Sequence, residues 1–285
     1  MDANVLYDID VTDTLLTMAD REYRLYRPVW SEHILDEASR AIIRNSKFAG
    51  DRSFRSSIDR RFQQMRAAFP GAAVRRFGHL EPLMGNQKRD RHVLAAAVKA
   101  RASVIVTNNV KHFRPEACAP YGITVRTPDQ FLQDCLRREP ERVIAGLQEQ
   151  ASRFRDPPRT VEELLTEDLS RPAPRFVAAA QTEMRYQANL DRRVAQIESD
   201  PKTAPYLQGV MKRPPQDEEG KMIWRQGVRR VERYRDDFGV DDPTRPLGRK
   251  LGLDPDQQAA RATQVQHLWE SESALKRLRP NRIGP

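Results

Sequence analysis

Cysteine and histidine are scarce in this chain, and each scarcity narrows its chemistry. Of 285 residues, two are cysteine (Cys118 and Cys135) and five are histidine, at positions 33, 79, 92, 112 and 267. Two cysteines outside any Cys-x-x-Cys pair make no disulfide framework and predict reduced thiols in a cytoplasmic protein. The histidines are too scattered for a structural zinc site, so a metal here has to be a hard cation held by oxygen. Long apolar runs are missing as well. No stretch approaches the ~20 apolar residues that cross a bilayer, so no membrane partner is expected. The amino terminus, Met1-Asp2-Ala3-Asn4, is acidic where a secretory signal would be basic. Aromatic residues make up only 7% of the chain and mean hydropathy is -0.74, which predicts a packed core over part of the chain.

Charge is what the sequence has in plenty. Lys and Arg number 49 against 40 Asp and Glu, a formal net charge of +9. The excess is local: between Arg52 and Arg91 lie ten basic residues (52, 55, 60, 61, 66, 75, 76, 88, 89, 91) and three acidic ones (59, 81, 90). A basic stripe is the electrostatic footprint of a polyanion partner, because each neutralised phosphate releases counterions. It is also what a solvated helix face looks like. Within it Phe54, Ile58, Phe62 and Met65 recur at helical spacing and predict a core stripe rather than base-stacking groups.

Along the chain, β-branched runs alternate with helical patterns up to about residue 137. The continuous run Ser103-Val-Ile-Val-Thr107 predicts a strand covered on both faces, with Ala72–Arg76 and Gly122–Arg126 as weaker companions. Helices are predicted near 31–45, 52–68, 90–101 and 128–137, with Ser31, Asp90 and Thr127-Pro128 as their start signals. This alternation predicts an α/β fold, a three-layer α/β/α arrangement around a central parallel sheet. After residue 137 no run reads as a strand. Helices are predicted near 139–154, 160–170 and 175–198, followed by a proline-punctuated tail. There Val228, Val231, Tyr234 and Phe238 share a helix face and Gly239 marks its stop.

Three acids fall where such a sheet would gather them. Asp2 heads Ala3-Asn4-Val5-Leu6, expected to be the first strand and its exit. Glu37 lies mid-helix after Ser31, and Asp90 starts the helix leading into the 103–107 strand. Ligands of open α/β sheets bind beyond the carboxyl ends of strands, and a carboxylate cluster there calls for a balancing Mg²⁺ or Mn²⁺. Each acid also has an ordinary explanation: Asp90 as an N-cap, Glu37 as an exposed helix acid, Asp2 as a frayed terminal residue.

Five segments taken in order carry a resemblance. They are Asp2-Ala-Asn-Val-Leu6, Trp30-Ser-Glu-His-Ile-Leu-Asp-Glu37, Asp90-Arg-His-Val-Leu-Ala-Ala-Ala97, Val104-Ile-Val-Thr-Asn-Asn109 and Tyr121-Gly-Ile-Thr-Val-Arg-Thr-Pro-Asp-Gln-Phe131. Together they resemble a PIN domain of the VapC toxin type over about residues 1–136. The stretch 137–180 is similar to a helical extension of longer members. The resemblance implies a Mg²⁺- or Mn²⁺-dependent endoribonuclease, the toxin of a toxin–antitoxin pair, with RNA as substrate and a cognate antitoxin as partner; it admits a homodimer. Asp2, Glu37 and Asp90 match the metal-holding acids, with Asn109 at the fourth catalytic position and Asn4 and Thr107 as auxiliary groups. Arg52, Arg55, Arg60 and Arg61 become candidates for holding RNA phosphates. The domain expectation is 1–136 nuclease-like, 137–200 helical extension and 201–285 a helical, partly flexible tail.

Two departures accompany the resemblance. Relatives carry several apolar residues before the first acid, whereas this chain begins one residue before Asp2. Asp2 is therefore expected to hang on a free terminus and the neighbouring strands to lose ladder partners. The fourth acid is replaced by Asn109, and His112 stands where relatives often have Asp, which weakens the expected hold on a cation. The alternative is a degenerate PIN scaffold that binds RNA or an antitoxin without cleavage. Residues 224–248 are distantly similar to C-terminal segments of large conjugative relaxases from actinobacteria, without any catalytic residue of those proteins.

Overall fold

The protein is described from a computed structural model covering residues 1–207, 211, 213–248, 258, 261–262, 264–266 and 273. The first element departs from the sequence expectation. Ala3–Leu6 is one helical turn, α1, and not the exit of a strand, because Asp2 takes the N-cap position and its carboxylate accepts the Ala3 N–H at 2.7 Å. A helix absent from the sequence reading follows: α2, Ile9–Ala19, capped by Asp8 through the Val11 N–H at 3.1 Å. It buries Val11, Leu15 and Met18 together with Thr12, Thr14 and Thr17.

The next helices start where their caps predict. In α3, Glu32–Asn45, the Ser31 hydroxyl accepts the Ile34 N–H at 3.3 Å, and Ile34, Leu35, Ala38 and Ile42 face inward. In α4, Arg52–Ala68, Ile58, Phe62 and Met65 are buried, so the apolar stripe of the basic helix is core. These side chains share one cluster with Trp30, Leu94, Ile105 and Phe113.

Helix α5, Arg91–Lys99, leads into β1, Val104–Val106. A short α6, Pro115–Cys118, precedes β2, Thr124–Arg126. The two strands are parallel, with Val104 opposite Thr124 and Val106 opposite Arg126. The expected Ala72–Arg76 strand contributes a single parallel bridge, Trp30 with Ala73. The described residues are thus mostly helical with a small two-stranded parallel sheet, and not the full three-layer arrangement expected. Two runs expected to be strands account for this: Ala3–Leu6 is turned into helix by the Asp2 cap, and Ala72–Arg76 pairs only at Ala73. The Met1 ammonium donates to the Val29 carbonyl at 2.9 Å and the Asp2 N–H to the Val106 carbonyl at 3.0 Å.

Beyond β2, α7 (Pro128–Arg138) opens with a capping box between Thr127 and Gln130 and a proline in its first turn. Helix α8, Pro140–Ser152, packs on α2 at Gly146, where a Cβ would lie 3.0 Å from Met18 Cε, so glycine allows the close approach. α9, Val161–Glu163, runs into a π turn, Leu164–Leu169, and then α10, Pro174–Ser199. Asp129 ties the start of α10 to α7 by accepting the Phe176 N–H at 2.7 Å.

The chain divides into two compact units, Met1–Glu183 and Met184–Pro285. The second is built on α11, Glu218–Asp237, whose Trp224, Val228 and Val231 pack with Val194, Ile197 and Leu207. Tyr234 is buried and stacks on Phe238 at 4.8 Å, and Gly239 follows with φ +58°, the expected face and stop. Part of the expected flexible tail, including 274–285, lies outside the described residues.

Candidate functional site

The carboxyl end of β1 carries the first part of the site. Thr107 follows the strand, fixed by its N–H to the Arg126 carbonyl at 2.9 Å. Its hydroxyl donates to Asp2 Oδ2 at 2.6 Å, and Asn4 Nδ2 donates to the same oxygen at 2.6 Å. Asn4 Nδ2 also reaches Thr107 Oγ1 at 3.0 Å, and Asn4 Oδ1 accepts the Asn108 N–H at 2.9 Å. Asn109 joins through its backbone N–H, 3.0 Å from Thr107 Oγ1. Asp2 is 3% exposed. It is thus neither frayed nor hanging free: donors from Ala3, Asn4 and Thr107 replace the water that burial removes.

Asp90 is likewise more than a cap. It stands before α5, yet its side chain caps nothing; Oδ2 lies 2.9 Å from His112 Nδ1. The surrounding turn is braced, with Asn86 Nδ2 donating to the Asp90 carbonyl at 2.9 Å and the Gln87 N–H to the His112 carbonyl at 3.2 Å. Glu37, half-buried on α3, faces His92 of α5, with Oε2 3.5 Å from Nε2. The His92 ring packs against His33 at 4.3 Å between centroids. His92 did not stand out in the sequence, because its role depends on α3 and α5 facing each other.

Glu37 and Asp90 thus arise from the helices expected, whereas Asp2 caps a helical turn and not a strand, and each acid engages its own partner. Among the described residues, no group of three or more His, Cys, Asp or Glu is close enough to hold a metal ion. By donor chemistry the set suits Mg²⁺ or Mn²⁺, since carboxylate oxygens flanked by amide and hydroxyl oxygens are what a hard cation selects. As placed, Asp90 and Glu37 are turned to histidines. The thiols offer no competing nucleophile: burial pushes Cys135 up to about 11 and raises Cys118 as well, so neither is a thiolate at neutral pH.

On α4 the candidate arginines separate. Arg61 is largely covered and bonded to Asp13 at 2.9 Å and to the Ile9 carbonyl at 3.2 Å. Arg55 is exposed, with Nε on the Ala49 carbonyl at 2.8 Å, and Arg52 and Arg60 are exposed.

Comparison with known proteins adds two findings. Residues 128–182, which hold α7, α8 and the start of α10, match the VapC50 C-terminal domain family. A 104-residue stretch is 43% identical to "Putative ribonuclease VapC50" of Mycobacterium tuberculosis (strain ATCC 25618 / H37Rv), covering 36% of this chain and 61% of that protein. Over these stretches the chain is similar to VapC-type proteins. It spans about three fifths of the length of that VapC relative. No solved structure matches the chain. Among the described residues no helix is long and apolar enough to cross a membrane.

Proposed function

We propose that this VapC-type chain is an endoribonuclease, the toxin of a toxin–antitoxin pair, that hydrolyses RNA phosphodiesters with Asp2, Glu37 and Asp90 as its acids. The observation that carries the reading is the buried Asp2–Asn4–Thr107 cluster at the carboxyl end of β1, the place where open α/β sheets bind ligands. A carboxylate so fully supplied with donors is held in one orientation, as a site acid has to be. Bound Mg²⁺ or Mn²⁺ would supply an activated water and neutralise charge on the scissile phosphate. Asp2, Glu37 and Asp90 would hold the ion, Asn4 and Thr107 would orient Asp2, and Asn109 would stand at the rim as a neutral oxygen donor. Exposed Arg52, Arg55 and Arg60 would hold RNA phosphates, contributing affinity rather than sequence choice. An antitoxin would inhibit by covering the acidic residues with a basic side chain.

A second reading is favoured by one observation, the contact of His112 with Asp90. In it the same site binds RNA or an antitoxin without cutting. Incubating purified protein with a mixed RNA pool, with Mn²⁺ or with EDTA, separates the two. Metal-dependent cutting supports the nuclease, whereas RNA retention without cutting supports the scaffold.

A further inference from the structure

A cavity of about 430 Å³ lies between α2, α4 and the end of α8, and none of the three acids lines it. Its apolar walls come from Leu16, Met65, Phe69 and Phe154. Phe69 is braced edge-on by Trp30, with ring centroids 6.1 Å apart, and Phe154 is exposed to solvent. Gln150 and Phe154 belong to the stretch that matches the VapC50 C-terminal domain family. That stretch therefore supplies one wall, and α2 and α4 supply the rest.

Two polar groups of this cavity are left without partners. Gln150 is 5% exposed, and its Oε1 has no hydrogen-bond partner among the described residues. The buried Arg61 Nε has none there either, although Nη2 of the same guanidinium holds Asp13 and the Ile9 carbonyl. A buried acceptor and a buried donor left unpaired are costly, and a ligand that offers one N–H and one acceptor relieves both. The terminal torsion of glutamine is broad, so the Gln150 amide turns toward the cavity at little cost. The charges around it are balanced: Asp13 pairs with Arg61, and Arg153 lies 3.8 Å from Asp20 and 3.3 Å from Glu149. The ligand called for is neutral, flat enough for aromatic walls and polar at its edge.

A nucleobase has these properties, since every base carries N–H donors, N or O acceptors and two π-faces. The volume falls within the roughly 300–1,000 Å³ of small-molecule sites. Two free polar groups are too few for the backbone of an extended peptide, which brings a donor and an acceptor with each residue. Helix α4 links the cavity to the proposed RNA path. Exposed Arg60 stands one turn before Gln64, on the same face, and Gln64 lines the cavity. We propose that the cavity takes one unpaired base of single-stranded RNA, stacked on Phe69 and Phe154, with Gln150 accepting its N–H and Arg61 Nε donating to its ring nitrogen or carbonyl. The inference rests on RNA being the substrate and adds the sequence choice that phosphate contacts do not supply.

Fluorescence anisotropy in EDTA, which holds the metal-dependent reaction off, tests it with the full chain. The probes are labelled oligoribonucleotides, abasic except for a single central A, C, G or U, beside one with no base at all. At least one base is expected to raise affinity about tenfold over the baseless probe, as stacking requires. Gln150→Leu should level the differences among the four bases. Phe154→Ala, on an exposed ring, should weaken every based probe and leave the baseless one unchanged. Equal binding of based and baseless probes would overturn the proposal and leave the cavity to a protein side chain. So would an undiminished base preference in Gln150→Leu folded by circular dichroism, or no effect of Phe154→Ala. Cutting with Mn²⁺ by a chain that shows no base preference would remove the base pocket alone and leave the ribonuclease reading standing.

Discussion

Asp2 accepts hydrogen bonds from Ala3, Asn4 and Thr107 while only 3% exposed, and Thr107 itself is fully buried. Removing the hydroxyl with Thr107→Val leaves Asp2 Oδ2 short of a donor and Asn4 short of an acceptor. A loss of about 1–3 kcal/mol is expected, largely restored by Thr107→Ser. Urea denaturation of the three proteins measures it, and equal stability of Thr107→Val would show that the hydroxyl is not holding the carboxylate. The Met1 ammonium predicts a pH effect. Burial lowers it from 8.0 to about 6, so between those values the unfolded chain keeps a proton that the folded chain has lost. Stability is full above pH 8 and falls as pH drops toward 6, by on the order of 2–3 kcal/mol. Thermal denaturation of the chain with and without N-terminal acetylation checks this, since the acetylated form should lack that part of the pH dependence. At this scale the sequence revealed which acids and polar residues matter but not their partners. His112 was legible only as a departure from an acid, and its contact with Asp90 needs a turn that no local pattern encodes.

Elements with a conventional start signal and a clean apolar period were legible. Ser31, Asp51 and Thr127 each cap a helix through a side-chain bond, and α3, α4 and α7 follow within a residue or two of expectation. Helix α2 was not, because Thr12, Thr14 and Thr17 occupy buried positions that a period of apolar residues would fill. Their burial is tolerated where hydroxyls find carbonyls: Thr12 donates to Val5 at 3.1 Å and Thr14 to Asp10 at 3.0 Å. The run Ala3–Leu6 was misread as extended because four apolar-rich residues fit a strand or a helical turn equally, and the Asp2 cap decided between them. Helix α4 carries the prediction at this scale. Charge reversal of Arg52 and Arg60 together should weaken RNA binding and flatten its salt dependence, because each phosphate contact adds to the slope of affinity against salt. Filter binding over a range of salt concentrations measures that slope, and an unchanged slope would assign the helix face to solvent.

Across the whole molecule, the family match at 128–182 lies in the unit Met1–Glu183, together with the acidic residues. A chain ending at Glu183 is therefore expected to fold and to keep any RNA cleavage of the full chain. Loss of cleavage by that chain, with its circular dichroism intact, would place a necessary element in residues 184–285. The overall class was legible in the strand–helix alternation, and the extent of the sheet was not. Sheet size depends on which β-like runs find partners, and among the described residues Ala72–Arg76 makes one bridge, Trp30 with Ala73, while β1 pairs with β2.

The central claim is that Asp2, Glu37 and Asp90 form a hydrolytic site for RNA. Its most direct test is cleavage of a mixed RNA pool by the full chain with Mn²⁺ and with EDTA, run beside Asp90→Asn. The account predicts cutting with Mn²⁺, none with EDTA, and none from Asp90→Asn whose fold is intact by circular dichroism. Cutting that survives in Asp90→Asn, or no cutting by the folded full chain, would contradict it.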